Sequence, residues 1–372
     1  MKKTTTYLLL TVALMIGIQD FVSGQDPNLS QHFSAPIYYN PAYCGINTGI
    51  RARFSYRDQW PSLPVDFTSY HFSLDMGSRK LPGAGGVGII VNSDNEGIGF
   101  IKNTAIGLVL SVRIPLASFM VSQVGVKAAY VQKRVNWDDF VFSDQLNAKY
   151  GKIYLSSFNP PGSERVGYPD FAVGGILQFA DVNGKVSGTL GFSVDHLFKP
   201  DESFLSNQSS PLPRRVVVHG DAIINAEGVS TSYFSNRDDG LLLNPGIIYQ
   251  NQGKFNSMSL GLNMTKFNIY MGVWYKSLFT DFYTGAAVLM AGYKYDFTDD
   301  VGIRFMYSYD LPVSTNLQGT GGAHEVSLVL DFNSGSFFGA GGSSGGRGGR
   351  GGGYMPRQRG RSFEPVECPS FY

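Results

Sequence analysis

The sequence is short of charge and nearly without cysteine. Asp, Glu, Lys and Arg make up 16% of its 372 residues, against about 25% in an ordinary soluble domain. The formal net charge is only +1, which argues against a nucleic-acid binder acting through its whole surface. A chain that is 43% hydrophobic is not disordered throughout. Two cysteines, Cys44 and Cys368, exclude a disulfide-built scaffold. Beyond the N-terminus there is no run of about 18 apolar residues, so no helix is expected to cross a bilayer. Glycine (46 residues) and aromatic side chains (14%) are abundant instead. This composition points to a β-rich protein, one suited to a membrane.

The first 24 residues read as a secretory signal peptide. Lys2 and Lys3 open the chain, Tyr7 to Ile18 form an apolar core, and Val22, Ser23 and Gly24 supply small residues before Gln25. A short membrane anchor is the alternative. No cysteine stands at the cleavage site, which argues against a lipoprotein.

From Arg51 to Phe332 the dominant pattern is alternation with period 2, the mark of a strand with two unlike faces. His324, Val326, Leu328, Leu330 and Phe332 share one face; Glu325, Ser327, Val329 and Asp331 share the other. Tyr70, Phe72, Leu74 and Met76 oppose Ser69, His71, Ser73 and Asp75. One pass gives fourteen candidate strands, near 51–59, 67–76, 86–92, 104–114, 119–131, 171–180, 186–195, 214–225, 242–251, 256–265, 268–276, 284–296, 301–309 and 323–332. Most approach the roughly 9–11 residues that a tilted strand needs to cross a membrane.

The connections supply a second test. Outer-membrane barrels have short periplasmic turns and long outer loops. With a periplasmic N-terminus, the connections after even-numbered strands should be short. Four of six are; 77–85 and 226–241 are not. The longest, 132–170, follows an odd-numbered strand. A secreted two-sheet sandwich would give the same alternation. Chain length, aromatics near strand ends (Trp60, Tyr275, Tyr293, Tyr295, Tyr307, Tyr309) and a final aromatic at Phe332 favour the barrel. The expected architecture is an all-β transmembrane barrel of about fourteen antiparallel strands over 51–332, in the outer membrane, with both termini periplasmic.

Both ends are unusual. Residues 25–50 are rich in turn formers (Pro27, Pro36, Pro41, Gly45) and aromatics (Phe33, Tyr38, Tyr39, Tyr43). Such a segment fits a plug in the barrel mouth or a lining of the periplasmic rim. Residues 333–372 form a Gly/Arg-rich tail expected to be disordered and periplasmic. Cys44 and Cys368 would then share an oxidising compartment. One bond between them, bonds to partners, and two free thiols all remain open.

Chemical motifs mostly dissolve. Gly83 to Gly88 matches the dinucleotide glycine pattern, but a strand follows it and no helix does. Asp94 to Gly97 lacks the spacing of a calcium loop. Asn207 to Ser209 is a sequon without meaning outside glycosylation machinery. The five histidines are scattered, and no serine-hydrolase elbow, zinc-protease signature or paired-cysteine metal pattern occurs. A hydrolase triad of the kind some outer-membrane lipases carry is an alternative without a motif. The face expected to point inward carries Arg51, Arg53, Arg57, Arg113, Lys127 and Arg304 with Asp75, Asp195, Glu325 and Asp331. These side chains solvate and brace a polar lumen, or grip a plug or client segment.

The mature N-terminus carries a resemblance. Gln25 to Phe33, Pro36, Asn40 to Ala42, Gly45, Arg51, Tyr56 to Pro61, Ser73 and Asp75 together resemble the PorP/SprF family of Bacteroidetes. Its members are outer-membrane proteins linked to type IX secretion and gliding motility. The tail departs from the family pattern. The resemblance implies no enzymatic activity and no cofactor. It implies a role in exporting or anchoring surface proteins, such as an adhesin carrying a type IX C-terminal domain. It also implies contact with outer-membrane lipid and with periplasmic secretion or motility machinery or a peptidoglycan-associated protein, and none with nucleic acid. The alternative is a porin or hydrophobic-ligand transporter of the fatty-acid-channel type, whose members also have Asn-Pro-Ala near the N-terminus. Residues singled out as structural or partner-facing are Arg51, Tyr56, Arg57, Gln59, Trp60 and Asp75. Arg57 is expected to pair with a carboxylate, Asp75 on the adjacent strand being the candidate, and Trp60 to anchor at the membrane interface.

Overall fold

Alternating side chains become fourteen strands that close on themselves. The computed structural model describes residues 25–64, 67–77, 85–97, 101–117, 119–137, 140–159, 164–181, 186–205, 208–226, 240–278, 281–298, 301–314 and 319–332. The expected signal peptide and Gly/Arg tail, with Cys368, lie outside these residues.

The strands are β1 (Gly49–Gln59), β2 (Phe67–Gly77), β3 (Gly86–Glu96), β4 (Ile101–Ala117), β5 (Met120–Val135), β6 (Leu146–Asn147), β7 (Gly151–Lys152), β8 (Arg165–Ala180), β9 (Val186–Asp195), β10 (Arg215–Asn225), β11 (Leu242–Gln252), β12 (Phe255–Lys266), β13 (Ile269–Leu278), β14 (Asp281–Thr298), β15 (Val301–Pro312) and β16 (Ala323–Phe332). The short β6 and β7 pair only with each other, in the long connection after β5. The other fourteen pair antiparallel with their neighbours, and β1 pairs β16 to close the ring. They correspond one to one with the fourteen expected strands.

The two faces sort as a membrane requires. Ile106, Leu108, Leu110 and Val112 on β4 are each half or more exposed and point outward. The largest wholly buried side chains include Arg53, Arg304, Glu325, Gln31 and Gln123, all inside. This arrangement inverts that of a soluble domain, as expected where lipid is the outer solvent. Outward aromatics mark both ends of the wall: Tyr293, Tyr295, Phe297 and Phe267 at one, and Tyr56, Tyr70, Tyr130 and Tyr307 at the other. Trp60 is half-buried just past β1, with a positive φ of 64° and its ring edge-on to Phe67.

β1, β3, β5, β9, β11, β13 and β15 all finish at one end of the ring, called here the long-loop end. β2, β4, β8, β10, β12 and β14 finish at the other end; the next strand follows within a few residues except after β2 and β10, the two exceptions that the sequence announces.

Residues 25–48 run through the ring. Asp26 N–H donates to Gln252 Oε1 at the long-loop end. A helical turn (Pro36–Tyr39) and a 3-10 turn (Pro41–Tyr43) sit mid-lumen, with prolines at first-turn positions where no N–H is needed. Arg113 then donates to Ile46 O near the opposite end, 3.3 Å away, and β1 begins there. Gln25 and Phe332 therefore lie at opposite ends of the barrel. The N-terminal segment crosses the lumen before the first strand turns back.

Candidate functional site in the occupied lumen

Three polar clusters hold residues 25–48 inside the wall. The first lies where β1, β15 and β16 meet. Glu325 on β16 accepts N–H groups from both Ser30 and Gln31, at 2.7 and 3.1 Å. Arg57 on β1 reaches Asp310 Oδ2 at 2.8 Å and Glu325 Oε2 at 3.2 Å, and donates to Ser30 Oγ at 2.9 Å. Gln31 donates to Ser308 Oγ and to Glu325 O, at 3.0 and 2.9 Å. Every member of this cluster is buried. Charge-assisted bonds of this kind are the strong ones, and a buried carboxylate needs them.

The second cluster holds the middle of the segment. Asn40 is wholly buried; its Oδ1 accepts from Ala42 N–H at 2.9 Å and its Nδ2 donates to Gly175 O at 3.1 Å. Tyr43 stacks on His219 with ring centroids 5.4 Å apart. Cys44 O accepts from Ser111 Oγ and Gln123 Nε2, at 2.6 and 2.7 Å. Asp75 accepts from Gly45 N–H at 2.8 Å and pairs with Arg53. Backbone packs directly on the wall here. A Cβ on Gly125 of β5 would lie 2.4 Å from Pro41 C, and one on Gly45 would lie 2.3 Å from Gly86 Cα. Only glycine admits so close an approach.

The third cluster stands at the long-loop end. Asp26 bonds His196 Nε2 at 2.8 Å, and Arg215 lies 3.3 Å from the same carboxylate oxygen. His196 Nδ1 bonds Asp170 at 2.9 Å. Arg215 also pairs with Asp195 at 3.1 Å, as Lys127 does at 2.6 Å, and it donates to Tyr38 O at 2.9 Å. Burial alone would push the His196 imidazole down. The carboxylates of Asp26 and Asp170 outweigh it and hold its pKa up at about 10. Burial would likewise raise Asp26, but His196 and Arg215 keep it well below the usual carboxylate range.

The residues chosen from sequence divide accordingly. Arg51, Arg57 and Asp75 point inward: Arg51 pairs with Asp331, and Arg57 and Asp75 belong to the clusters above. Gln59 accepts from Arg57 Nη2 at 3.4 Å. Tyr56 is outward and packs on Tyr70, with centroids 5.1 Å apart. The expected Arg57–Asp75 pair does not form. The β1–β2 register places Asp75 opposite Arg51 and Ser69 opposite Arg57, so Arg53 takes Asp75. Cys44 is buried and has no disulfide partner among the described residues; Cys368 lies outside them. Sequence reasoning missed Asp26, Ser30, Gln31, Asn40, Asp170, His196, Arg215 and Asp310. For the strand residues among them, inward parity combined with charge was the available signal.

A small cavity remains between segment and wall, lined by His32, Tyr39, Tyr43, His219, Ile248 and Trp274. No group of three or more metal-ligating side chains occurs among the described residues.

Among solved structures, the chain is similar to a Pseudomonas aeruginosa FadL homologue, with 14% identity, 76% of this chain and 89% of that one covered, and a TM-score of 0.41. It is similar to the CymD monoaromatic hydrocarbon channel, with 10% identity, 82% and 92% covered, and a TM-score of 0.41. A third is the Acinetobacter baumannii outer membrane protein Omp33, with 8% identity, 77% and 99% covered, and a TM-score of 0.36. No curated protein matches. A family model described as type IX secretion system membrane protein PorP/SprF matches residues 21–330, which takes in the lumen segment and nearly the whole wall. The chain is an outer-membrane β-barrel and belongs to the PorP/SprF family of the type IX secretion system.

Proposed function

We propose that this protein is a non-enzymatic outer-membrane component of type IX secretion that helps export a client adhesin or anchors it at the cell surface. The observation that carries this reading is the occupied lumen. Residues 25–48 fill the ring through buried polar groups that hydrogen-bond to the wall. A wall braced this way is suited to holding a partner, whereas a porin needs an open polar channel. The client would carry a type IX C-terminal domain. In this reading the long-loop end faces outward, so Gln25 is presented outside. Phe332 and the tail that follows it face the periplasm and its secretion or motility machinery, or a peptidoglycan-associated protein.

The test is a pull-down of the tagged protein from detergent extract, with mass spectrometry, beside planar-bilayer conductance. Recovery of a large surface protein with a type IX C-terminal domain, without conductance, is expected. Steady conductance without any such partner would replace this reading with the transporter.

A further inference from the structure

We propose that the outward rim of β4, β5 and β8 at the long-loop end binds the phosphates of a phosphorylated glycolipid in the outer leaflet, through Lys102, Arg134 and Arg165. The register aligns these three residues in one row. Lys102 faces Arg134 and Arg134 faces Arg165 across adjacent antiparallel strands, with about 5 Å between directly opposed neighbours. All three are exposed and share the outward parity of Ile106 and Tyr130. Like charges directly opposed across strands destabilise a sheet unless an anion lies over them. A row of cations here calls for a counter-charge.

Asn95, on the far side of Lys102, is neutral. Among the described residues, neither Lys102 nor Arg134 pairs with a carboxylate. Glu164 adjoins Arg165 in the chain, while the nearby Glu202 is taken by Lys133 at 2.9 Å.

The depth of the row is set by what lies beneath it. Stepping along the same strands toward the membrane, Thr104, Gln132 and Gly167 form the next outward row. Ile106, Tyr130 and Pro169 follow, and then Leu108, Ala128 and Phe171. An added Cβ on Gly167 would lie 2.1 Å from Tyr130 Oη, so the Tyr130 ring lies across that glycine with its hydroxyl toward the rim. The sequence from apolar through aromatic and polar to cationic is that of a wall passing from hydrocarbon into the headgroup layer. The cations therefore stand at phosphate level, where each contributes about fivefold in affinity for an anionic surface.

The experiment uses the full-length mature protein in neutral detergent, stripped of lipid. Its gel heat-modifiability midpoint is followed as diphosphoryl lipid A, phosphatidylglycerol, phosphatidylcholine or inorganic phosphate is added. The midpoint should rise with diphosphoryl lipid A at the lowest concentration and stay unmoved by phosphatidylcholine or phosphate alone. In K102Q/R134Q, which leaves Arg165 in place, about 25-fold more lipid A should be needed, while the lipid-free midpoint stays at the wild-type value. An unchanged lipid A response in that variant would overturn the proposal, as would an equal response to phosphatidylglycerol, phosphatidylcholine or inorganic phosphate. If K102Q/R134Q lowers the lipid-free midpoint, K102Q and R134Q are titrated singly, each expected to need about fivefold more lipid A; no change in either overturns the proposal.

Discussion

Arg57 and Asp310 are 2.8 Å apart although their strands never touch. β16 lies between β1 and β15, and the Arg57 guanidinium passes across its inner face, meeting Glu325 on the way. One side chain thus ties the first strand of the wall to the last two. Arg57→Ala leaves two carboxylates buried without their cation, a loss of about 3–5 kcal/mol. The heat-modifiability midpoint should fall sharply, while Tyr56→Phe on the lipid face should leave it in place.

Gly125 tests the fit between wall and lumen segment. Gly125→Ala puts a methyl group against the Pro41 backbone, which has no flexible end to yield. A destabilisation of about 1–3 kcal/mol is expected. It should appear as a lower heat-modifiability midpoint and as faster proteolysis between residues 25 and 48. The neighbouring outward change Val124→Leu should do neither.

The cluster around His196 predicts a pH window. Its folded value of about 10 lies above the ordinary 6.5, so its contribution is full below about 6.5 and is lost as pH rises through 10. Asp26 is held below its ordinary 3.8, so its contribution is full above that value and is lost as pH falls. The facing groups Asp170, Arg215, Asp195 and Lys127 belong to the same network. Hydrogen exchange at residues 26–31, corrected for intrinsic rate, should be slowest between about pH 4 and 6.5 and should speed up toward pH 10. His196→Gln should flatten the alkaline limb; a limb that persists in it would assign the loosening elsewhere.

Orientation can be read on intact cells. An epitope inserted between Gly24 and Gln25 should bind antibody without permeabilisation. One appended after Tyr372 should bind only after it. The opposite pattern would reverse the barrel in the membrane.

The strands were legible because a period of two survives any register: each inward Ser, Asp or Arg shows its face within its own segment. Pairing was not, since it depends on how neighbouring strands slide. Arg57 and Asp75 share a face and adjacent strands, yet the register sets them several residues apart. The role of residues 25–48 was legible only in outline. Prolines and aromatics signal order, but nothing in Ser30, Gln31 or Asn40 shows which distant strand each will meet. Nor do they show how far the segment passes through the ring before β1 begins.

Residues 25–48 lie within the ring and continue directly into β1, the strand that forms the closing seam with β16. Ser30 and Gln31 bond β16, while Ser30 also bonds Arg57 of β1. The inner segment thereby bridges both edges of the joint at which the ring closes, so a change that loosens it loosens the joint too.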